Sequence, residues 1–129
     1  MSRILLLVGG GAAERELAFS VAEALGYTPI YIDGRHEALV VCTAMWPKPD
    51  CILVDTAFKD PVNCEAFVRS LRARRVMESI ALIAWSDKNL LDEAKKLKAE
   101  GFTHYIGIKS DTVALQATIG MLSPQVAAA

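Results

Sequence analysis

Five short apolar runs, spaced at regular intervals, limit most strongly what this chain can fold into. They are RILLLV (3–8), TPIYID (28–33), DCILVD (50–55), SIALIAW (79–85) and THYIGIK (103–109). Each has the length of a β-strand, and the segment after each carries apolar residues at helical spacing. Continuous apolar strands that alternate with amphipathic helices predict a parallel sheet with helices on both faces. The predicted fold class is therefore α/β, a doubly wound sheet of five strands.

The length of 129 residues fits a single domain. We expect residues 1–123 to form it and residues 124–129 to be a tail or the start of a linker, because Pro124 ends the last helical pattern. Ser110 or Asp111 is suited to cap that last helix.

Charge and composition argue against several classes of partner. The formal net charge is −1, and the basic residues are mostly scattered, so we expect no binding to nucleic acid. No apolar run reaches the roughly 20 residues that a membrane-spanning helix needs. The sequence predicts a cytoplasmic domain that does not contact membranes. Its three cysteines lack the spacing of a metal site.

The ends of the predicted strands carry the residues that can do chemistry. In doubly wound sheets, ligands bind beyond the carboxyl ends of the strands. An acid, a hydroxyl and a lysine on three of these ends would converge at one edge of the sheet. The predicted strands end, in chain order, at Gly9 and Gly10, Asp33, Asp55, Ser86 and Lys109.

With these residues in place, nearly the whole chain resembles the receiver domain of bacterial response regulators. That resemblance implies the flavodoxin-like strand order 2-1-3-4-5. It also implies that Asp55 matches the phosphoacceptor, Ser86 the hydroxyl that turns toward the phosphoryl group, and Lys109 the lysine that pairs with it. The segments CEAFVRSLRA (64–73) and KAEGFTHYIGIK (98–109) are similar to the family's third helix and to its approach to the lysine.

The departures from that family concern the metal site. Receivers carry two adjacent acids after the first strand that hold Mg²⁺, and these positions fall on Gly9 and Gly10. Mg²⁺ prefers oxygen ligands and needs carboxylates to compete with water, and phosphoryl transfer relies on the metal to neutralise charge. Asp87 adds a negative charge where receivers prefer a small residue. We therefore expect no metal, no cofactor and no enzymatic activity.

Two further possibilities concern Asp55. Asp87 or Asp33 could supply a displaced acid, which would make the chain an active receiver that is phosphorylated at Asp55 and uses Mg²⁺. Without metal, Asp55 would pair with Lys109 and could accept a hydrogen bond from Ser86.

A different class of function is suggested by the glycines. Gly9 and Gly11 match the first two glycines of a dinucleotide fingerprint, and Asp33 ends the second strand where a ribose-binding acid would lie. A small nucleotide-binding domain that uses Gly9 to Gly11 is thus an alternative. Against it, Glu14 replaces the third glycine. A turn that needs positive φ explains the glycines more simply.

The favoured hypothesis is a pseudo-receiver that acts by protein–protein interaction in bacterial signalling. In receivers, the face of helix four, strand five and helix five binds partners, and here it could bind a protein or a second copy. Its expected contact residues are Lys88, Leu91, Lys95 and Ile106. The aromatic residue of the family's switch is replaced by Ile106, and Tyr105 lies one residue earlier, so we expect the coupled switch to be absent.

Overall fold

The strands and helices alternate along the chain as the sequence predicts. The computed structural model describes residues 3–44, 48–57, 63–74 and 80–122. Within them the strands are β1 (Arg3–Val8), β2 (Tyr27–Ile32), β3 (Cys51–Asp55), β4 (Ala81–Trp85) and β5 (His104–Ile106). The helices are α1 (Ala12–Ala24), α2 (Arg35–Ala44), α3 (Cys64–Arg72), α4 (Leu91–Glu100) and α5 (Thr112–Leu122).

The five strands form one parallel sheet in the order β2-β1-β3-β4-β5. This confirms the predicted fold class and strand order. All residues of β3 are buried, as expected for a central parallel strand that is covered on both faces. The carboxyl ends of β1 and β3 are adjacent, because Val8 is paired with Val54. The residues that follow these strands therefore meet at one edge of the sheet.

Alternate residues of the strands enter two separate cores. Leu6, Ile52 and Leu82 face α2, α3 and α4. Leu7, Leu53 and Ile83 face α1 and α5. The period of two in a strand explains this division. It also means that neighbouring residues at a strand end point toward different helices.

Local capping fixes where several helices begin and end. The Asn63 side chain accepts a hydrogen bond from the Ala66 backbone N–H at 2.8 Å and caps α3. Asp111, not Ser110, caps α5, since its Oδ1 accepts from the Ala114 N–H at 3.0 Å. Gly101 follows α4 with a φ of +121°, and a Cβ there would lie 2.6 Å from a methyl group of Val68.

Two of the predicted strands extend too far at their carboxyl ends. The second strand ends at Ile32, so Asp33 lies in the following turn. The fifth strand stops at Ile106, and Lys109 lies in a turn rather than in the strand. Residues 124–129, which we expected to be a tail, lie outside the described residues. None of the helices in the described ranges is long and apolar enough to cross a membrane.

Candidate functional site

A buried ion pair forms the centre of the site. Asp55 is the last residue of β3 and is 3% exposed. Its Oδ1 accepts a hydrogen bond from Lys109 Nζ at 2.7 Å and another from the Ala57 backbone N–H at 3.0 Å. The predicted contact between Asp55 and Lys109 is thus present. Charge-assisted hydrogen bonds of this length are among the stronger ones in proteins, and burial shields this one from solvent.

The glycine turn after β1 lies directly beside Asp55. Gly9 and Gly10 have φ values of +77° and +99°, which L-residues with side chains rarely adopt. A Cβ on Gly10 would lie 3.3 Å from Asp55 Oδ2. The Gly10 carbonyl also accepts a hydrogen bond from the Tyr31 hydroxyl at 3.2 Å. Gly9 and Gly10 therefore let the chain turn with positive φ close to Asp55, which fits the simpler interpretation of the glycines as a turn that tolerates positive φ.

Glu14, in the first turn of α1, brings a second carboxylate to this turn. Its Oε1 lies 3.9 Å from Lys109 Nζ, and its Oε2 would lie 3.2 Å from a Cβ on Gly11. Lys109 thus has carboxylates on two sides. The sequence predicts that Glu14 lies at the start of a helix. Its ion pair with Lys109 could not be predicted, because it depends on how closely that helix approaches Lys109. A carboxylate over the glycines would repel the pyrophosphate of a dinucleotide.

Ser86 makes no hydrogen bond to Asp55, so the possible bond between them is not formed. Its hydroxyl donates instead to Glu93 Oε1 at 2.6 Å. The Tyr105 hydroxyl donates to the same oxygen at 3.0 Å, and Lys88 Nζ lies 3.5 Å from the other oxygen of Glu93. Sequence reasoning therefore missed a link between Ser86 and Tyr105 that runs through one carboxylate of α4.

Neither substitute acid reaches Asp55. Asp87 Oδ1 accepts a hydrogen bond from the Lys109 backbone N–H at 2.7 Å, so it holds the turn after β5. Asp33 is exposed beyond β2, and among the described residues no hydrogen bond or ion pair joins it to Asp55. Across those same residues, no group of three or more His, Cys, Asp or Glu side chains could hold a metal ion.

Arg35 is a further buried charge that sequence reasoning missed. It is the first residue of α2 and is 4% exposed. Its Nη2 donates to the Asp55 carbonyl at 3.1 Å and to the Thr56 carbonyl at 3.4 Å. Burial raises the pKa of the neighbouring Cys64 thiol, and the positive charge of Arg35 opposes that rise. Two positive side chains thus approach the end of β3. Lys109 contacts the Asp55 carboxylate, and Arg35 contacts the backbone carbonyls of Asp55 and Thr56.

The expected partner face is exposed at three of its four predicted residues. Lys88, Leu91 and Lys95 are exposed, and Leu91 is 70% accessible. Ile106 is only 2% exposed and packs in the core beneath α1 and α5, so its assignment to the face is wrong. It faces inward because the side chains of a strand alternate between the two cores.

Two apolar residues near this face are exposed instead. Leu90 is 56% exposed and Ile108 is 43% exposed. A Cβ on Gly107 would lie 2.6 Å from Asn89 Oδ1, so the loops that carry Leu90 and Ile108 touch each other. These loops add apolar surface next to Leu91.

Comparison with solved structures finds a clear set of similar folds. The chain is similar to chemotaxis response regulator CheY4 of Vibrio cholerae, with a TM-score of 0.82 and 17% identity over 95% of this chain and 100% of that one. It has the receiver fold. The receiver domain of sensor histidine kinase PA1611 from Pseudomonas aeruginosa, which has a magnesium ion in its active-site cleft, gives a TM-score of 0.79 and 18% identity over 95% and 98% of the two chains.

Response regulator RPA3017 of R. palustris, from red light signalling, gives a TM-score of 0.76 and 15% identity, over 93% of this chain and 90% of that chain. No protein-family model matches the sequence, and no curated protein matches it either. At these identities the receiver fold is a likeness of structure, and the site must be judged from its own residues.

Proposed function

We propose that this chain is a pseudo-receiver: a bacterial signalling domain in the cytoplasm that binds proteins and has replaced metal-dependent phosphorylation of Asp55 with an internal ion pair. The observation that carries the proposal is the 2.7 Å contact between Lys109 Nζ and Asp55 Oδ1, beside two glycines with positive φ. The ammonium group neutralises the carboxylate that a receiver would use to bind metal and accept a phosphoryl group.

The chemistry of the donor set supports this proposal. Mg²⁺ takes near-octahedral oxygen ligands and usually needs carboxylates from the protein. At Asp55 the neighbouring positions are Gly9 and Gly10, which offer no side-chain oxygen. Glu14 approaches Lys109, and Arg35 donates to backbone carbonyls after β3. These residues do not fit a divalent cation, so the proposed function includes no phosphoryl transfer, no cofactor and no enzymatic activity.

The proposed working surface is the face formed by α4 and the loops beside it. Leu91 and Lys95 lie on it, with Lys88, Leu90 and Ile108 at its edge. Apolar side chains surrounded by lysines suit a partner that offers an apolar patch with acidic residues around it. A protein of that chemistry, or a second copy of this chain, would bind here.

Beryllofluoride with Mg²⁺, a mimic of the phosphoryl group, tests the site directly. The thermal unfolding midpoint and tryptophan fluorescence of this chain are expected to stay unchanged. The PA1611 receiver domain, which coordinates magnesium, is the positive control for metal binding. A rise in midpoint that Asp55→Asn abolishes would support an active receiver instead. A rise with ATP or NAD alone would support the nucleotide-binding alternative.

Sedimentation velocity tests the face. Leu91→Asp places a charge on α4, and Val40→Asp is the matched control, because Val40 is 57% exposed on α2. If the chain self-associates through this face, Leu91→Asp should shift it to monomer while Val40→Asp should not. A chain that is monomeric before substitution would rule out a second copy as the partner.

A further inference from the structure

The exposed side of α5 is apolar and carries no charge. Of the five helices in the described ranges, α5 alone has no charged residue. Val113 is 74% exposed and Met121 is 67% exposed. A helix that packs on a domain normally turns charged and polar side chains toward water, and an exposed apolar surface is typical of a site that another protein covers.

Large and small side chains alternate along this side of α5. Val113, Ala117 and Met121 are all exposed, and they follow one another at intervals of four residues, which places them on one side of the helix. Ala117 lies midway between the two larger residues, which are about 12 Å apart along the helix axis. The order large, small, large is the same in both directions. Two copies of α5 that cross antiparallel at Ala117 would therefore place Val113 of each copy against Met121 of the other.

Gly120 lies on the same side of the helix, seven residues after Val113. A Cβ at Gly120 would meet no atom of the described residues within 4 Å, so packing within this part of the domain does not require a glycine there. Glycine inside a helix is unfavourable relative to alanine. A second helix that approaches from outside would give the glycine a role, because the distance between packed helices depends on the size of the side chains at their contact.

Charge and symmetry favour a second copy of this chain as the occupant of the α5 surface. A two-fold interface brings the same surface of both copies together, so charged side chains near the axis would meet like charges, which is unfavourable. The uncharged α5 avoids that repulsion. A different protein is commonly selected by complementary charges, and α5 offers none. An antiparallel crossing also brings opposite ends of the two helix dipoles together.

We infer that two copies of this chain associate through α5, in an antiparallel crossing centred on Ala117. The inference does not rest on the proposed function, because the α4 face with Leu91 stays free in this dimer. A helix of 11 residues is about 16 Å long, and two such helices bury less than the roughly 1,200–2,000 Å² of a stable complex. The association is therefore weak, with a Kd on the order of 100 µM.

Sedimentation equilibrium between about 20 µM and 1 mM covers this range of affinity. The average mass of the unsubstituted chain should rise toward that of a dimer as the concentration increases. Met121→Lys should weaken the association by at least about 10-fold, because it places a charge in an apolar contact with Val113 of the second copy. Val40→Lys is the matched control, since Val40 is an exposed apolar residue of α2, and it should leave the Kd unchanged.

Two further variants separate the interface from the fold and from the α4 face. Gly120→Leu adds a side chain that begins in open space within the described part of the domain, so the monomer should be no less stable to urea while the dimer weakens by at least about 10-fold. Leu91→Asp should leave the dimer intact. The inference is overturned if the unsubstituted chain stays monomeric at the highest concentration, if Met121→Lys or Gly120→Leu associates as well as Val40→Lys does, or if Leu91→Asp dissociates the dimer.

Discussion

Replacing Lys109 with methionine tests the buried ion pair most directly. The substitution keeps a side chain of similar length and removes the ammonium that contacts Asp55 Oδ1 at 2.7 Å. Asp55 is 3% exposed, so its charge would remain buried. Removing one partner of a buried ion pair destabilises proteins by about 3–5 kcal/mol. Glu14 adds to the effect, because its Oε1 is 3.9 Å from the same ammonium.

The free energy of unfolding, measured with urea at pH 7, gives this loss. We expect Lys109→Met to lower it by about 3–5 kcal/mol without changing the m-value, since the surface exposed on unfolding is the same. Lys95→Met is the matched control: Lys95 is an exposed lysine of α4, and its loss should change stability by less than about 0.5 kcal/mol.

The double variant Asp55→Asn with Lys109→Met separates charge from packing. It removes both charges of the pair, so it should recover at least about half of the stability that Lys109→Met loses. If the double variant is as unstable as the single one, the loss comes from the packing of the lysine stem. If Lys109→Met loses less than about 1 kcal/mol, the pair is not the buried, coupled contact that its geometry indicates.

Three further outcomes follow from the structure. Gly10→Ala should lower the free energy of unfolding by about 1–2 kcal/mol in the same urea assay because φ is +99° there, and Gly10→Asp should lower it further, since its carboxylate would approach Asp55. Glu93→Ala should lose about 1–3 kcal/mol, because the hydroxyls of the buried Ser86 and the half-buried Tyr105 lose their acceptor, whereas Glu93→Gln, which keeps an acceptor, should lose less. Burial lowers the pKa of His104, and the positive charge of Lys98 lowers it further. The stability that the neutral His104 side chain contributes is therefore full above the ordinary pKa of 6.5. That contribution declines as the pH falls through the lowered pKa. His104→Gln should remove that pH dependence from urea curves collected between about pH 7 and pH 5.

Much of the fold could be predicted because one strong pattern specifies it. The apolar runs of the three central strands are buried on both faces, so their composition alone identifies them. The boundary of β5 could not be read in the same way. Ile108 continues the apolar pattern, but it lies 43% exposed in the turn after Ile106. Hydropathy does not distinguish an apolar residue in a strand from one in an exposed turn.

The site was predictable where it depends on the ends of strands. Asp55 and Lys109 meet because parallel strands finish at a common edge. The contacts of Ser86 and Glu14 were not predictable in this way. Each depends on how a helix approaches the sheet: Glu93 of α4 reaches Ser86, and the first turn of α1 brings Glu14 toward Lys109. Helix orientation arises from packing of the whole core, and the spacing of residues in the sequence does not contain it.

The arrangement of charges makes a divalent cation at Asp55 less favourable. A metal ion there would have to share the carboxylate with an ammonium that the fold itself delivers to within 2.7 Å of one of its oxygens. That ammonium is part of the same chain, so its effective concentration is high and independent of conditions outside the protein. Acids at positions 9 and 10 would raise the local negative charge enough to favour a divalent ion, but their side chains would conflict with φ values of +77° and +99°. The turn and the ion pair are thus both consistent with the metal-free state that we propose, in which regulation acts through the binding surface.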